Sequence, residues 1–311
     1  MTNALRHFTD LSILTPAIAR ALIDYAKILK ASFKAGKVSK PFMGKTLAMI
    51  FEKPSTRTRI SFDISMRQLG GDTIMLTGSE MQLGHSETIA DTARVLSRFV
   101  DIVILRTTKH QRMLELAQYA QIPVINALTD DTHPCQILAD ILTYEEHRGP
   151  ISGKIFAWMG DGNNVLHSLI EAAALFDFHL RIATPKGSEP QEKFIHWARE
   201  RGAHLTLTHN PQKAAQDADC IMTDTWVSMG QEFRARSHSI FQPYQVNEVL
   251  MKLAKSDALF MHCLPAHRGE EVVDSVIDGP HSVVFDEAEN RLHIQKAILS
   301  WCLQDAFFSP Q

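Results

Sequence analysis

The sequence predicts an α/β fold of two lobes, each a parallel sheet flanked by helices, with the C-terminal helix crossing back to the first lobe. Short runs rich in Val, Ile, Leu and Phe alternate with helix-like segments along most of the chain, as is typical of strands buried on both faces. At residues 147–153 the segment His-Arg-Gly-Pro-Ile-Ser-Gly ends a helical pattern just before a new apolar run. The chain has 311 residues, which is long enough for two separate cores.

The individual elements follow from the period of the apolar residues. Strands are predicted at 46–51, 73–76, 102–106, 124–126, 154–159, 179–183, 204–208, 220–223, 259–262 and 282–285. Helices are predicted at 16–32, 60–69, 88–99, 113–120, 135–147, 165–175, 191–201 and 292–307. The predicted domains are residues 1–148, joined by the terminal helix 292–311, and residues 149–291.

Composition and charge exclude several classes of function. The net charge of −3 provides no general attraction to nucleic acid or to membranes, and no apolar run reaches the roughly 18 residues of a membrane span. The first ten residues contain no secretory apolar segment. The four cysteines (Cys135, Cys220, Cys263 and Cys302) show no C-x-x-C pairing, so we expect free thiols and a cytoplasmic location.

The run S-T-R-T-R at residues 55–59 is the strongest functional signal. It lies between an apolar strand and a helical segment, where unpaired backbone N–H groups and the helix dipole favour an anion. Guanidinium groups and hydroxyls added there make a receptor for an oxyanion, most naturally phosphate. The alternative is a capped, solvated helix start with Ser55 as N-cap. The position at the carboxyl end of a buried parallel strand favours ligand binding.

Two further signals lie in the first half of the chain. His133 and Gln136 are three residues apart at a helix start and project to one side, where they can bind a carbonyl and an amide. A helix cap remains the alternative, and a zinc site using His133 and Cys135 lacks a second ligand pair. Arg106 ends an apolar strand and points from the same sheet edge as residues 55–59, with a surface salt bridge as its alternative.

The second half contains three polar runs after strands. The turn Gly160-Asp161-Gly162 suggests a dinucleotide loop and hence a nicotinamide dehydrogenase, but Val165 stands where the third glycine belongs. Asp224 could pair with an ammonium group, or it could be a helix cap. At residues 261–271, Cys263 and its neighbour His262 face opposite sides of a strand and make a poor nucleophile–base pair. A metal site in this run is an alternative that the ligand spacing does not support.

Together these runs resemble the aspartate/ornithine carbamoyltransferase family, and most closely its ornithine-using members. The runs S-T-R-T-R, H-P-C-Q (133–136), D-T-W-V-S-M-G (224–230) and H-C-L-P (262–265) occur in the order and at the separations of that family. Each run is moderately specific alone, whereas their joint occurrence in order is highly specific. The resemblance covers residues 11 to about 307.

The resemblance implies a role for each matching residue. Carbamoyl phosphate would be bound by Ser55, Thr56, Arg57, Thr58, Gln82, Arg106, His133, Gln136, Cys263, Leu264 and Arg291. Ornithine would be bound by Asn164, Asp224, Ser228 and Met229. The catalytic residues would be Arg57, Arg106, His133 and Cys263. The family also implies a homotrimer with sites at subunit interfaces, in which Gln82 reaches a neighbouring site, and a role in arginine metabolism, where biosynthesis is the commoner case.

The implied reaction transfers the carbamoyl group from carbamoyl phosphate to the side-chain amine of L-ornithine and yields citrulline and phosphate. No metal or organic cofactor is needed for it, because the leaving group is already activated. Two alternatives remain at this point: a carbamoyltransferase acting on another amine, such as putrescine or an acylated ornithine, and a non-catalytic relative that keeps the fold.

Overall fold

The computed structural model describes residues 5–37, 39–77, 87–226 and 238–303. The chain folds as two compact units, one of Met1–Leu142 with Asn290–Gln311 and the other of Thr143–Glu289. No helix in the described part of the chain is both long and apolar enough to cross a bilayer.

The first unit contains a four-stranded parallel sheet in the order β2-β1-β3-β4. Its strands are β1 (Thr46–Phe51), β2 (Asp72–Thr77), β3 (Ile102–Arg106) and β4 (Val124–Leu128). The helices of this part of the chain are α1 (Pro16–Lys34), α2 (Thr56–Gln68), α3 (Ile89–Phe99), α4 (His110–Tyr119) and α5 (Pro134–Arg148), of which α5 continues into the second unit. The central strands β1 and β3 are almost wholly buried, which explains their unbroken apolar sequence.

The end of α2 shows how the sequence ends a helix. Gly70 has a φ of +91°, and its N–H bonds to the carbonyl of Arg67 while the N–H of Gly71 bonds to that of Met66. A Cβ at Gly71 would lie 2.9 Å from the carbonyl oxygen of Lys45. The glycine pair is therefore required by the turn that leads into β2.

The second unit contains a five-stranded parallel sheet in the order β7-β6-β5-β8-β9. Its strands are β5 (Ile155–Met159), β6 (His179–Ala183), β7 (Leu205–Thr208), β8 (Cys220–Thr223) and β9 (Leu259–His262). Its helices are α6 (Asn164–Phe176), α7 (Glu192–Glu200), α8 (Pro211–Ala215), α9 (His238–Phe241), α10 (Glu248–Met251) and α11 (Asp274–Ile277).

The last helix, α12 (Val284–Cys302), corrects one prediction. Residues 282–285 do not form a strand: Ser282 makes a single parallel bridge to Phe260, and the helix has begun by Val284. Asp286 and Glu287 in the first turn favour a helix start there. From Asn290 onward the helix belongs to the first unit, where the carbonyl of Leu292 accepts a hydrogen bond from Ser65 Oγ on α2. The predicted fold class is confirmed.

Candidate active site

The turn between β1 and α2 presents residues 55–58 at the carboxyl edge of the first sheet. Ser55 is the N-cap residue of α2, yet its side chain makes no capping hydrogen bond within the described residues. Thr56 and Arg57 are exposed, whereas Thr58 is buried. The capping alternative therefore does not account for the Ser55 hydroxyl, and the first turn of the helix remains suited to an anion.

Two arginines converge on the hydroxyl of Thr58. Arg291 Nη2 donates to Thr58 Oγ1 at 2.8 Å, and Arg106 Nη1 donates to the same oxygen at 3.3 Å. All three residues are at most 7% exposed. Two guanidinium groups buried side by side create a strongly positive site, and such a site favours a multiply charged anion.

The start of α5 adds two polar side chains to this cluster. Gln136 Oε1 accepts from Arg291 Nη1 at 2.8 Å, and Gln136 Nε2 donates to Asp140 Oδ1 at 2.8 Å. Because each end of the amide is bound, its orientation is fixed. Asp140 was missed in the sequence; its only signal is the i, i+4 spacing from Gln136.

His133 is buried beside the same arginines. Burial holds the pKa of its imidazole well below the usual range, and the charges of Arg291, Arg106 and Arg57 lower that pKa further. The ring is therefore neutral near pH 7 and can donate one hydrogen bond to a substrate oxygen. Burial also raises the pKa of the adjacent Cys135 thiol to about 12, and this thiol donates to the carbonyl of Asn126 at 3.4 Å.

A cavity of about 680 Å³ opens beside the β1–α2 turn. It is lined by Phe51, Glu52, Lys53, Pro54, Ser55, Thr56, Arg59, Ile60, Met75 and Thr77. The lining shares Ser55 and Thr56 with the predicted phosphate site but does not include Thr58, Arg106 or His133. The converging guanidinium groups of Arg106 and Arg291 lie at the buried cluster and not along this cavity, so the groups suited to an anion are concentrated at that cluster.

In the second unit, Asp224 follows β8 and is held by two neighbours. Its Oδ2 accepts from Asn163 Nδ2 at 2.7 Å, and its Oδ1 accepts from the Cys263 thiol at 3.2 Å. Asn163 is also the N-cap of α6, since its Oδ1 accepts from the N–H groups of Val165 and Leu166. The sequence pointed to Asn164, which is half-buried at the first helical position, and missed Asn163 as the residue that orients Asp224.

The glycine turn after β5 does not have the features of a dinucleotide loop. A Cβ at Gly162 would lie 2.4 Å from the backbone of Glu189 and Pro190. The chain's own backbone thus fills the space that a pyrophosphate would need beside this glycine. This packing argues against the dehydrogenase alternative.

The H-C-L-P run begins at His262, the last residue of β9, and the His262 side chain fixes the turn that follows. His262 Nδ1 accepts from the N–H of Leu264 at 2.9 Å, and Nε2 pairs with Glu271 Oε1 at 3.1 Å. Both ring nitrogens are engaged, so His262 does not serve as a base for Cys263. Leu264 has a φ of +54°, an unusual value for a residue other than glycine and one found often at functional sites. The predicted site residues Gln82, Ser228 and Met229 lie outside the described residues.

The fold and the two clusters define a class of two-unit α/β proteins. One unit carries a cluster of buried arginines suited to an anion, and the other carries a carboxylate and a thiol, those of Asp224 and Cys263. Two family models match the chain. The carbamoyl-P binding domain of aspartate/ornithine carbamoyltransferase matches residues 6–146, and the Asp/Orn binding domain of the same family matches residues 152–302. The chain belongs to the aspartate/ornithine carbamoyltransferase family.

Individual relatives are similar along nearly the whole chain. The ornithine carbamoyltransferase of Brucella ovis is 72% identical over 97% of each chain. The solved structure of ornithine carbamoyltransferase from Pyrococcus furiosus superposes with a TM-score of 0.93 at 51% identity, covering 96% of this chain and 97% of that one. The anabolic ornithine carbamoyltransferase of Campylobacter jejuni superposes with a TM-score of 0.90 at 37% identity, covering 96% and 99%.

Proposed function

We propose that the protein transfers the carbamoyl group of carbamoyl phosphate to the side-chain amine of L-ornithine, giving L-citrulline and phosphate. The observation that carries this proposal is the pair of buried guanidinium groups on Thr58, donated by Arg106 and Arg291. The proposal is supported by relatives of that name, one of them 72% identical over 97% of the chain.

The phosphate of the donor binds at the β1–α2 turn. Ser55, Thr56 and Thr58 supply hydroxyl and backbone donors at the start of α2, and Arg57 and Arg106 neutralise the charge of the phosphate. Gln82 of a neighbouring subunit and Arg291 complete this set. Bidentate guanidinium contacts hold the phosphate in one orientation as well as binding it.

The carbonyl of the donor lies near Arg106, His133 and Gln136. A neutral imidazole donates to the carbonyl oxygen, and the lowered pKa of His133 keeps it neutral at the pH of the reaction. The negative charge that develops on this oxygen during attack is stabilised by Thr58, Arg106 and His133. Fixed donors aimed at developing charge commonly supply the largest part of catalysis.

Asp224 binds the α-ammonium group of ornithine. A carboxylate offers about four lone-pair positions, so positions remain after the bonds from Asn163 and Cys263. Asn164, Ser228 and Met229 bind the rest of the amino-acid end, and Cys263 and Leu264 lie where the amine meets the carbamoyl group. The neutral amine forms the new C–N bond, the C–O bond to phosphate breaks, and the amine releases one proton.

The resemblance also supports a cytoplasmic homotrimer whose sites are shared between neighbours, acting in arginine biosynthesis. We assign residues 1–148 with 292–311 to carbamoyl phosphate and residues 149–291 to ornithine, in agreement with the order of the two family models. The activated leaving group means that this reaction requires no metal or organic cofactor, and the net charge of −3 gives no reason to propose a nucleic-acid or membrane partner.

Citrulline formation by the purified protein tests the proposal. Ornithine, putrescine and N-acetylornithine are assayed side by side with carbamoyl phosphate at equal concentrations. Ornithine should react faster than N-acetylornithine, because Asp224 recognises the free α-ammonium group that acetylation removes. It should also react faster than putrescine, which keeps an ammonium group at that position but lacks the α-carboxylate of the amino-acid end. Equal rates with putrescine would assign a different acceptor, and no product with any amine would identify a non-catalytic relative.

A further inference from the structure

The turn after the H-C-L-P run gathers side chains that bind metals. Ligand atoms of His267, Glu270 and Glu271 all lie within 4.8 Å of one another. His267 Nδ1 lies 3.6 Å from Glu270 Oε2, and His238 Nδ1 lies 3.6 Å from the same oxygen. Two ligand atoms bound about 2.0–2.1 Å from a tetrahedral zinc ion are roughly 3.3 Å apart, so the 3.6 Å between His267 Nδ1 and Glu270 Oε2 is close to the spacing of two zinc ligands.

Glu271 distinguishes this cluster from ordinary surface acids. Its side chain is fully buried, and Oε1 accepts from His262 Nε2 at 3.1 Å and from the N–H of His267 at 2.6 Å. Oε2 is buried and has no hydrogen-bond partner in the described part of the chain. A buried carboxylate oxygen without a partner is costly, and a cation bound there would remove that cost.

The backbone that presents the ligands is well fixed. Gly269 adopts a φ of +83°, its N–H bonds to the carbonyl of Val272, and the N–H of Glu270 bonds to that of His267. Gln245 Nε2 donates to the carbonyls of Gly269 and Glu270, each at 2.8 Å. A preorganised turn loses little freedom when a ligand binds.

The local charge also favours a cation. Residues 267–278 contain four acidic residues and one arginine. Arg268 is paired with Asp274 and Asp278, so its charge is already offset. Among the described residues, the basic side chains that pair with Glu270 are those of His238 and His267.

We propose that His267, Glu270 and Glu271 form a binding site for a divalent transition metal, with Zn²⁺ as the ion that fits. Imidazole nitrogens with carboxylate oxygens suit zinc, whereas calcium and magnesium prefer oxygen ligands alone. The site is independent of the proposed carbamoyl transfer, which needs no metal.

Calorimetric titration of the full-length protein with ZnCl₂ tests this site. A Cys263→Ser background is used, because Asp224, His262 and Cys263 form a second group of potential ligands. His267→Asn and Glu270→Gln should each weaken zinc binding about tenfold or more. His196→Asn is the matched control: His196 lies 3.2 Å from Glu200 in an exposed pair with no third ligand among the described residues, and its loss should change nothing.

Co²⁺ provides a second readout that does not depend on heat changes. The Cys263→Ser protein should give the visible absorption of cobalt bound by nitrogen and oxygen, and His267→Asn should lose it. Circular dichroism verifies that each variant is folded. The proposal is overturned if the background protein binds no Zn²⁺ below ~1 mM, or if both ligand variants bind it as tightly as the background.

Discussion

Thr58 is the residue on which the proposed phosphate site is centred, because its hydroxyl accepts from both Arg106 and Arg291. Thr58→Val keeps the shape of the side chain and removes the acceptor. Hydrogen bonds to charged groups contribute about 1.5–3 kcal/mol, so we expect kcat/KM for carbamoyl phosphate to fall by roughly tenfold to a hundredfold.

The matched control for Thr58 is Ser61→Ala, one turn further along α2. The Ser61 hydroxyl donates to the carbonyl of Thr58 and has no proposed role in binding. Steady-state citrulline assays on both variants make the comparison. Equal kinetics for Thr58→Val and Ser61→Ala would show that the buried arginines do not need this hydroxyl.

Asn163 has two separable tasks, capping α6 and orienting Asp224. Asn163→Ala should lose both, with about 0.5–2 kcal/mol of stability lost at the cap. Asn163→Ser keeps a capping hydroxyl but removes the Nδ2 group that donates to Asp224 Oδ2. We therefore expect both variants to raise KM for ornithine, while only Asn163→Ala lowers the midpoint of thermal unfolding. A rise in KM for carbamoyl phosphate instead would mean that the two half-sites are misassigned.

The pH profile follows from the amine and from His133. A free alkyl amine titrates near pH ~10 by analogy with lysine, so about one part in a thousand is neutral at pH 7. The pKa of His133 is lowered well below the usual range, so this imidazole stays neutral from pH 7 upward and adds no titration there. Turnover should rise from neutral towards alkaline pH. A flat profile between about pH 6 and 9 with chemistry rate-limiting would contradict this.

Helix α4 packs its apolar face into the core of the first unit. Leu116 is 1% exposed and belongs to the core under β1 and β3, whereas Leu114 on the same helix is 38% exposed. Leu116→Ala should destabilise the protein by about 2–5 kcal/mol, and Leu114→Ala by about 0.5 kcal/mol or less. Denaturant unfolding measures both, and equal costs would mean that α4 does not pack as described.

Most strands could be predicted from the sequence, because strands buried on both faces are unbroken apolar runs. The prediction of a strand at 282–285 was wrong because three consecutive apolar residues, Val283, Val284 and Phe285, fit a helix start as well as a strand. Helix α2 begins at Thr56, four residues before the predicted 60, since the polar S-T-R-T-R run interrupts the apolar period but not the helix itself.

At the scale of the whole molecule, motif order indicated which residues to propose for the site, but not which neighbours fix their side chains. Asn163, Asp140 and Glu271 act through partners that depend on side-chain conformation and on the packing of separate elements. Spacing in the sequence carries no signal for the bond between Asn163 and Asp224, and for Asp140 it offers only the i, i+4 separation from Gln136. Gln82, Ser228 and Met229 stay predictions.

Sharing of sites between chains is tested by mixing two inactive variants. Arg57→Gly removes a phosphate-binding guanidinium, and Gln82→Ala removes the side chain proposed to reach a neighbouring site. If the chain forms the proposed trimer with shared sites, hybrids should recover part of the activity, because some sites receive an intact Arg57 and an intact Gln82 from different chains. Proven hybrids without activity would indicate that each chain builds its own site.

The most direct measurement is a crystal structure of the protein with a bisubstrate mimic that joins a phosphonate to ornithine. The account predicts the phosphonate within hydrogen-bond distance of Arg106 and the first turn of α2, and the α-ammonium group on Asp224. A mimic bound elsewhere, with the arginines around Thr58 unliganded, would contradict the account.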